Sequence, residues 1–362
     1  MRVVIAPDCF GGTLSAPEAA DALATGWRAA RPEDELVLLP MSDGGPGFLD
    51  ALPGVPVTTL VEDPLARPTL ATYLLDGTTA YVESAQACGL QLLDPPDRDP
   101  AVTTSYGVGQ LVRAAWEAGA ARVVLGLGGS ATNDGGAGML AALGVRREDA
   151  ARERLAPGCL ALAGAQRLVG EPLRVELVVA TDVDNPLLGP DGATAAFAAQ
   201  KGAARDQLPS LEAALAHWAD LLEAHLGVSA RDLPGAGAAG GLGFAAFALG
   251  GRWEPGVELV GQTVGLGPAI RDADLVLTGE GRFDAGSLGG KVVFGVAAAA
   301  RHEAVPCLVL AGEVTVGRRE AAAVGIGRAH SLVDLVGPER ALSHPAEALA
   351  TLAEGVARGW HV

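Results

Sequence analysis

The sequence predicts an α/β protein: a Rossmann-like, doubly wound parallel sheet built from both chain ends, with a mixed α/β second domain inserted between them. Three observations carry this. The last quarter alternates short apolar runs with helical stretches, the first forty or so residues hold one unit of the same kind, and the middle changes to short β-type runs joined by turns. At roughly 100 to 200 residues per domain, 362 residues favour two domains. The expected division is residues 1–55 and 262–362 for the sheet domain and 56–261 for the insert.

Arg2 to Ala6 is an apolar run stopped by Pro7-Asp8, a buried strand feeding a loop. Ser15-Ala16-Pro17-Glu18 forms a capping box with proline in the first turn, and Ala19, Ala20, Leu23, Ala24 and Trp27 follow at helical spacing. Glu35 to Leu39 is the next strand. In the insert, Val57 to Val61, Thr69 to Leu75 and Thr79 to Val82 read as strands, with Asp76-Gly77 turning between the last two. Tyr106 to Ala118 is helical, Arg122 to Leu125 and Arg174 to Ala180 are strands, and Leu208 to Leu226 is a long amphipathic helix. The final alternation runs strand Asp274 to Leu277, helix near Lys291 to Arg301, strand Cys307 to Leu310, helix near Arg318 to Val324, strand Ser331 to Leu335 and helix Pro345 to Val356.

Composition removes several function classes. Apolar residues make up 49% and the mean hydropathy is +0.29, so a disordered chain is excluded. The net charge of −17 and the lack of a basic run exclude nucleic acid as a partner. Four scattered cysteines, Cys9, Cys88, Cys159 and Cys307, suggest neither a disulfide framework nor a zinc ribbon, and point to a reducing cytoplasm. Neither a signal-peptide core nor a run of about 18 apolar residues occurs, so no membrane partner is expected. Fifty glycines, about twice the usual share of about 7%, without a collagen period, imply tight turns and backbone approach to a ligand.

Three segments carry chemistry. Gly126-Leu127-Gly128-Gly129-Ser130-Ala131-Thr132-Asn133-Asp134-Gly135-Gly136-Ala137-Gly138 follows a strand and precedes a helix, so uncovered amides and a helix dipole suit phosphate oxygens, with the hydroxyls and Asp134 adding donors or holding a hydrated metal. Thr278-Gly279-Glu280-Gly281-Arg282-Phe283-Asp284 lies just past a strand, where open α/β sheets bind ligands; Arg282 offers a fork for carboxylate or phosphate, and Asp284 or Glu280 a base or metal ligand. Asp182 and Asp184 bracket a strand end before Asn185-Pro186, which suits Mg²⁺, a general base or an Asx-type turn. The chain writes nearly every cation as arginine. Its two lysines, Lys201 and Lys291, both glycine-flanked, therefore suggest a need for compact point charges, as in phosphoryl transfer. Gly235 to Gly240 matches G-x-G-x-x-G but follows Leu233-Pro234 rather than a strand, and Gly289-Gly290-Lys291-Val292 lacks the residues of a P-loop.

In order along the chain, Ala6-Pro7-Asp8, Pro40-Met41-Ser42-Asp43-Gly44-Gly45, the Gly126 to Gly138 loop, Asp182-Val183-Asp184-Asn185-Pro186-Leu187, Gln200-Lys201-Gly202-Ala203, Gly235 to Gly243 and Thr278 to Asp284 make a set that resembles the type I glycerate kinases. The resemblance implies transfer of the ATP γ-phosphoryl group to D-glycerate or a close 2-hydroxy acid, giving 2-phosphoglycerate, with Mg²⁺. On this reading Asp184, Asp284 and Lys291 are catalytic, and Asp8, Asp43, Glu280 and Arg282 bind the substrate. Gly128, Gly129, Ser130, Thr132, Asn133 and Lys201 bind ATP phosphates, and Asp134 and Asp182 hold the metal. The location implied is cytoplasmic, and a homodimer is left open. The sequence departs from the family at Cys9 and Gly11, one of which is often lysine, at Gly286, where glutamine is usual, and at Pro46, where glutamate is common. Those departures motivate one rival, a degenerate kinase kept as a ligand-binding or regulatory protein; a dinucleotide-dependent oxidoreductase is the other.

Overall fold

Strands that read as unbroken apolar runs need cover on both faces, and the chain supplies it with helices. The computed structural model describes residues 1–289 and 291–360; Gly290, from the glycine-flanked lysine string, lies outside the described residues, as do His361 and Val362. The chain folds as two compact units. One comprises Met1–Asp43, Asp50–Leu52 and Gly256–Val362, and the other Gly44–Leu49 and Pro53–Pro255.

The unit made from both chain ends holds a five-stranded, all-parallel sheet in the order Ile326–Ser331, Cys307–Ala311, Leu275–Thr278, Arg2–Ile5, Glu35–Leu38. Numbered along the chain, that order is 5-4-3-1-2. Connections therefore reverse direction between Arg2–Ile5 and Leu275–Thr278, which pair in register from Val3↔Leu275 to Ile5↔Leu277. Helix Ala16–Ala30 starts with the expected capping box, Glu18 accepting the Ser15 amide at 2.8 Å. It lies so close to helix Pro345–Gly359 that a methyl at Gly26 would stand 1.9 Å from the Ala350 carbonyl oxygen. Val3, Ile5, Leu23, Trp27, Leu277 and Leu349 are among the core side chains.

One expectation here needs correction. Ser331 to Leu335 is not a strand: the strand is Ile326–Ser331, and Leu332–Val336 is a short helix. Ser331 caps it, its hydroxyl accepting the Asp334 amide at 3.2 Å, so the Ser-x-x-Asp spacing outweighed the apolar run behind it.

The second unit holds a six-stranded mixed sheet in the order Arg252–Glu254, Glu176–Ala180, Arg122–Gly126, Thr79–Glu83, Pro68–Asp76, Val55–Glu62. The first four are parallel. The last three form an antiparallel meander that turns at Asp76↔Thr79, where the Asp76-Gly77 signal stands. Helix Leu208–Leu226 matches its expected bounds and buries Trp218, whose indole N–H donates to the Gly135 carbonyl at 2.9 Å. No described helix is long and apolar enough to cross a membrane.

Candidate active site

In the two-ended unit, Asp8 leaves the first strand and Glu280 the third, on either side of the reversal point. Their loops are tied together. The Asp8 amide donates to the Gly279 carbonyl at 2.8 Å, and a side chain at Gly281 would start 3.0 Å from the Phe10 carbonyl carbon, a tight contact that would press the two loops apart by a few tenths of an ångström. Asp43 arrives from the second strand, where the Met41 amide donates to the Pro7 carbonyl at 2.9 Å.

Three carboxyl groups thus lie within electrostatic reach of one another. Burial first, then the like charge of Asp43 and more weakly that of Glu280, push Asp8 up from 3.8 to about 7, against the lowering pull of the Cys9 amide 2.7 Å from its Oδ1. Burial also holds Glu280 above its ordinary range, helped by Asp284 and Asp43 and opposed by Ser287 and Lys291. Glu280 Oε1 is buried with no hydrogen-bond partner among the described residues. The Cys9 thiol, pushed to about 12 by burial and by Asp8, is no nucleophile.

Past Glu280 the segment brings Arg282 to the surface, leaves Asp284 half-buried and buries Phe283. Arg282 and Phe283 pair with Glu313 and Val314, and the exposed Arg282 guanidinium lies 3.6 Å from both Asp284 and Glu313. Asp284 caps the short helix Ala285–Leu288, accepting the Gly286 amide at 2.8 Å. Lys291 is exposed at the N-cap of helix Val292–His302, close enough to Glu280 to oppose its rise. Helix dipole and ammonium reinforce one another there, an arrangement that attracts phosphate.

In the second unit the glycine loop leaves Arg122–Gly126, and Asp182 and Asp184 leave Glu176–Ala180. These strands pair in parallel through Gly126↔Ala180, so both segments emerge at one sheet edge. The loop's glycines serve packing: a methyl at Gly128 would stand 2.6 Å from Gly45 Cα, at Gly129 2.6 Å from Pro46 Cγ, and at Gly135 2.5 Å from the Trp218 ring. The literal G-x-G-x-x-G match does the same, since Ala239, Gly240 and Gly241 take left-handed conformations and bring Gly240 against the Thr132 carbonyl.

Asp134 is 0% exposed and saturated. It accepts from the Ser105 amide at 2.9 Å, the Ser105 hydroxyl at 2.9 Å, the Thr104 hydroxyl at 3.4 Å and the Gly136 and Gly138 amides at 3.1 Å each. The expected metal finds no free lone pair there, because the helix start Ala137–Leu143 and its neighbours use them. Lys201, 2% exposed, donates to Ser130 Oγ at 3.0 Å and the Thr132 carbonyl at 2.6 Å. Asn133 donates to Thr194 at 3.1 Å, Asp182 is half-buried and Asp184 exposed. Sequence reasoning passed over Ser105 and Ser287. The signal for the first was Thr103-Thr104-Ser105, three hydroxyls in a row before a helix and all buried.

Comparison with known proteins agrees with this architecture. The chain is 42% identical to a glycerate kinase of Bacillus subtilis (strain 168) over 99% of its own length and 97% of the relative's. It is 41% identical to a glycerate 2-kinase of Escherichia coli (strain K12), covering 87% of this chain and 86% of that one. A crystal structure of a protein assigned as glycerate kinase 2 from Salmonella typhimurium LT2 superposes with a TM-score of 0.86 at 39% identity, covering 99% and 98% of the two chains. A family model described as the glycerate kinase family matches residues 3–361, and with these likenesses it shows that the chain belongs to that family.

Proposed function

We propose that this protein moves the γ-phosphoryl group of ATP to a hydroxyl of D-glycerate or a close 2-hydroxy acid, giving 2-phosphoglycerate from glycerate. The observation that carries the reading is the meeting of Asp8, Asp43 and Glu280 at the reversal point of a parallel sheet, with Lys291 on a helix N-terminus facing Glu280. Phosphoryl transfer asks for a base near neutrality and for cations on the phosphates. Asp8, at about 7, is the group that takes the hydroxyl proton. Lys291 neutralises the transferred group, and exposed Arg282 receives the substrate carboxylate. In the second unit, Gly128, Gly129 and Ser130 bind ATP phosphates, while Asp184 and Asp284 support the reaction electrostatically rather than as bases, since neither is enclosed.

Mg²⁺ fits the residues present. Among the described residues no three His, Cys, Asp or Glu side chains close on one point, but Mg²⁺ is usually held by one or two carboxylates with waters and phosphate oxygens. Asp43 and the orphaned Glu280 Oε1 are hard oxygen donors whose crowding a cation would relieve, and they would hold it. When bound it supplies charge neutralisation at the phosphate oxygens. A cytoplasmic location suits four free cysteines.

A coupled ADP-release assay across small hydroxy acids tests the proposal, with glycerate expected as the best acceptor. ATP binding without turnover on any of them would overturn it in favour of a ligand-binding protein, the reading that Cys9 and Gly11, in place of the family's lysine, would favour.

A further inference from the structure

We propose that Lys201 is a positioning residue: its ammonium holds the buried turn from Ser130 to Asn133 and so fixes the neighbouring, solvent-reaching Gly128-Gly129 amides that receive nucleotide phosphates, and it touches no phosphate itself. This deepens the phosphotransferase reading and rests on it. Two of the three Nζ donors are spent on the loop, on Ser130 Oγ at 3.0 Å and the Thr132 carbonyl at 2.6 Å. With Lys201 2% exposed, a phosphate oxygen reaches Nζ only if the turn opens.

The surroundings show how much depends on those two bonds. Asn133 Oδ1 is already a buried acceptor without a partner among the described residues, so losing the ammonium would leave Ser130 Oγ and the Thr132 carbonyl as further unpaired acceptors in the same turn. The Thr132 carbonyl is also where Gly240 presses in, a methyl there standing 2.0 Å from its oxygen, and the Gly135 amide reaches back to the Gly240 carbonyl at 2.9 Å. One carbonyl is thus fixed from two sides, by the lysine and by the left-handed run. The chain is bent to bring the lysine in: Gly202 has φ +103°, and any side chain on it would meet the Arg98 carbonyl oxygen at 2.0 Å. A buried ammonium is costly, and here two hydrogen bonds to the turn offset that cost.

A pH signature follows. Burial lowers Lys201 to about 8; the groups facing it are Cys88 from helix Ala85–Cys88, Cys159 beside helix Leu160–Gly164, and Asp134 from the loop itself. Both thiols are pushed to about 12 and stay neutral through that window, so a loosening of the turn above about pH 8 belongs to the lysine.

Lys201→Met, Lys201→Arg, Ser130→Ala and the Met/Ala double variant test this in the full chain by amide hydrogen exchange over residues 128–136, ADP affinity against pH, and steady-state kinetics. Lys201→Met should exchange that segment at least tenfold faster and raise the KM for ATP at least tenfold with kcat within threefold. Ser130→Ala should move the same quantities less, and the double variant should be no worse than Lys201→Met alone. Wild-type ADP affinity should fall above about pH 8, and Lys201→Arg should lose that dependence. Unchanged exchange in Lys201→Met, a loss in kcat with KM intact, or fully additive effects in the double variant would overturn the proposal. If Lys201→Met does not fold, Ser130→Ala decides it by the same exchange measurement. Wild-type protein that turns over no ATP removes the phosphotransferase reading, and the exchange result then decides the positioning role alone.

Discussion

Asp8 and Asp134 follow parallel strands of different units, yet their surroundings make them different groups. Asp8 has one amide on Oδ1 and two negative neighbours, so its charge is poorly supported and its proton is exchangeable near pH 7. Asp134 receives donors from Ser105, Thr104, Gly136 and Gly138, and its negative charge is fully used in fixing a helix start. A carboxylate with lone pairs to spare and repulsive company is reactive; one surrounded by donors is architecture. The glycine-rich string is dense in polar residues, whereas unsatisfied capacity, not density, marks the acid–base group that we propose.

The strongest way to break this contrast is to remove each charge while keeping its shape. Asp8→Asn should lower kcat by about 10³-fold without lowering the melting temperature, as expected for loss of a general base. Asp134→Asn should do the reverse, costing about 2–4 kcal/mol of stability because its new NH₂ faces N–H and O–H donors, while activity per folded molecule survives. Comparable kinetic losses in both variants would erase the distinction. Next in size, Lys291→Ala should reduce kcat/KM about 100-fold and leave the melting temperature unchanged, since an exposed cation at a helix start matters to charge in the transition state more than to folding. A steady-state rate equal to wild type would show that the ammonium is only a solvated cap.

Proton linkage sharpens the contrast further. A folded-state value raised from 3.8 to about 7 means that the native protein holds the Asp8 proton more tightly than the unfolded chain does. Its contribution to stability is complete below about pH 4 and is lost as pH rises through about 7, with Glu280 acting in the same direction. In metal-free buffer the melting temperature should decline over that window, and Asp8→Asn should flatten the decline; an unchanged slope would place the titration elsewhere. The smallest effect is expected from Cys9→Lys, which sets an ammonium beside Asp8. Glycerate affinity should improve severalfold, and the Asp8 contribution to the melting profile should shift to lower pH. Gly11→Lys is the poorer choice, because Gly11 has φ +52° and lysine would be strained there.

Local signals predicted the parallel sheet well because each was complete within a few residues: the Ser15 box, the proline after the first strand, the alternation after Asp274. Ser331 deceived because a cap and a strand start look alike until Asp334 is seen to offer its amide. The site was only half visible. Glu280 announced itself as a charge past a strand, but the rise of Asp8 depends first on burial, then on Asp43, 35 residues away, and more weakly on Glu280, 272 away. Lysine scarcity led to Lys201 and Lys291, and nothing local distinguished the buried one from the exposed one. The loop glycines pointed to a ligand, yet Gly128 and Gly129 are shaped by Gly45 and Pro46, some eighty residues earlier.

The pairing of Arg2–Ile5 with Leu275–Thr278 also governs how the molecule is made. On a ribosome the first strand emerges early and can join Glu35–Leu38, but its other edge has no partner until residue 275 has been synthesised. The stretch Pro53–Pro255 needs little from the far end of the chain and can fold while the rest is awaited. An apolar strand edge thus stays open for about 12 to 48 s, given roughly 240 residues at about 5–20 residues per second, which makes this edge the point where aggregation or chaperone capture competes with folding.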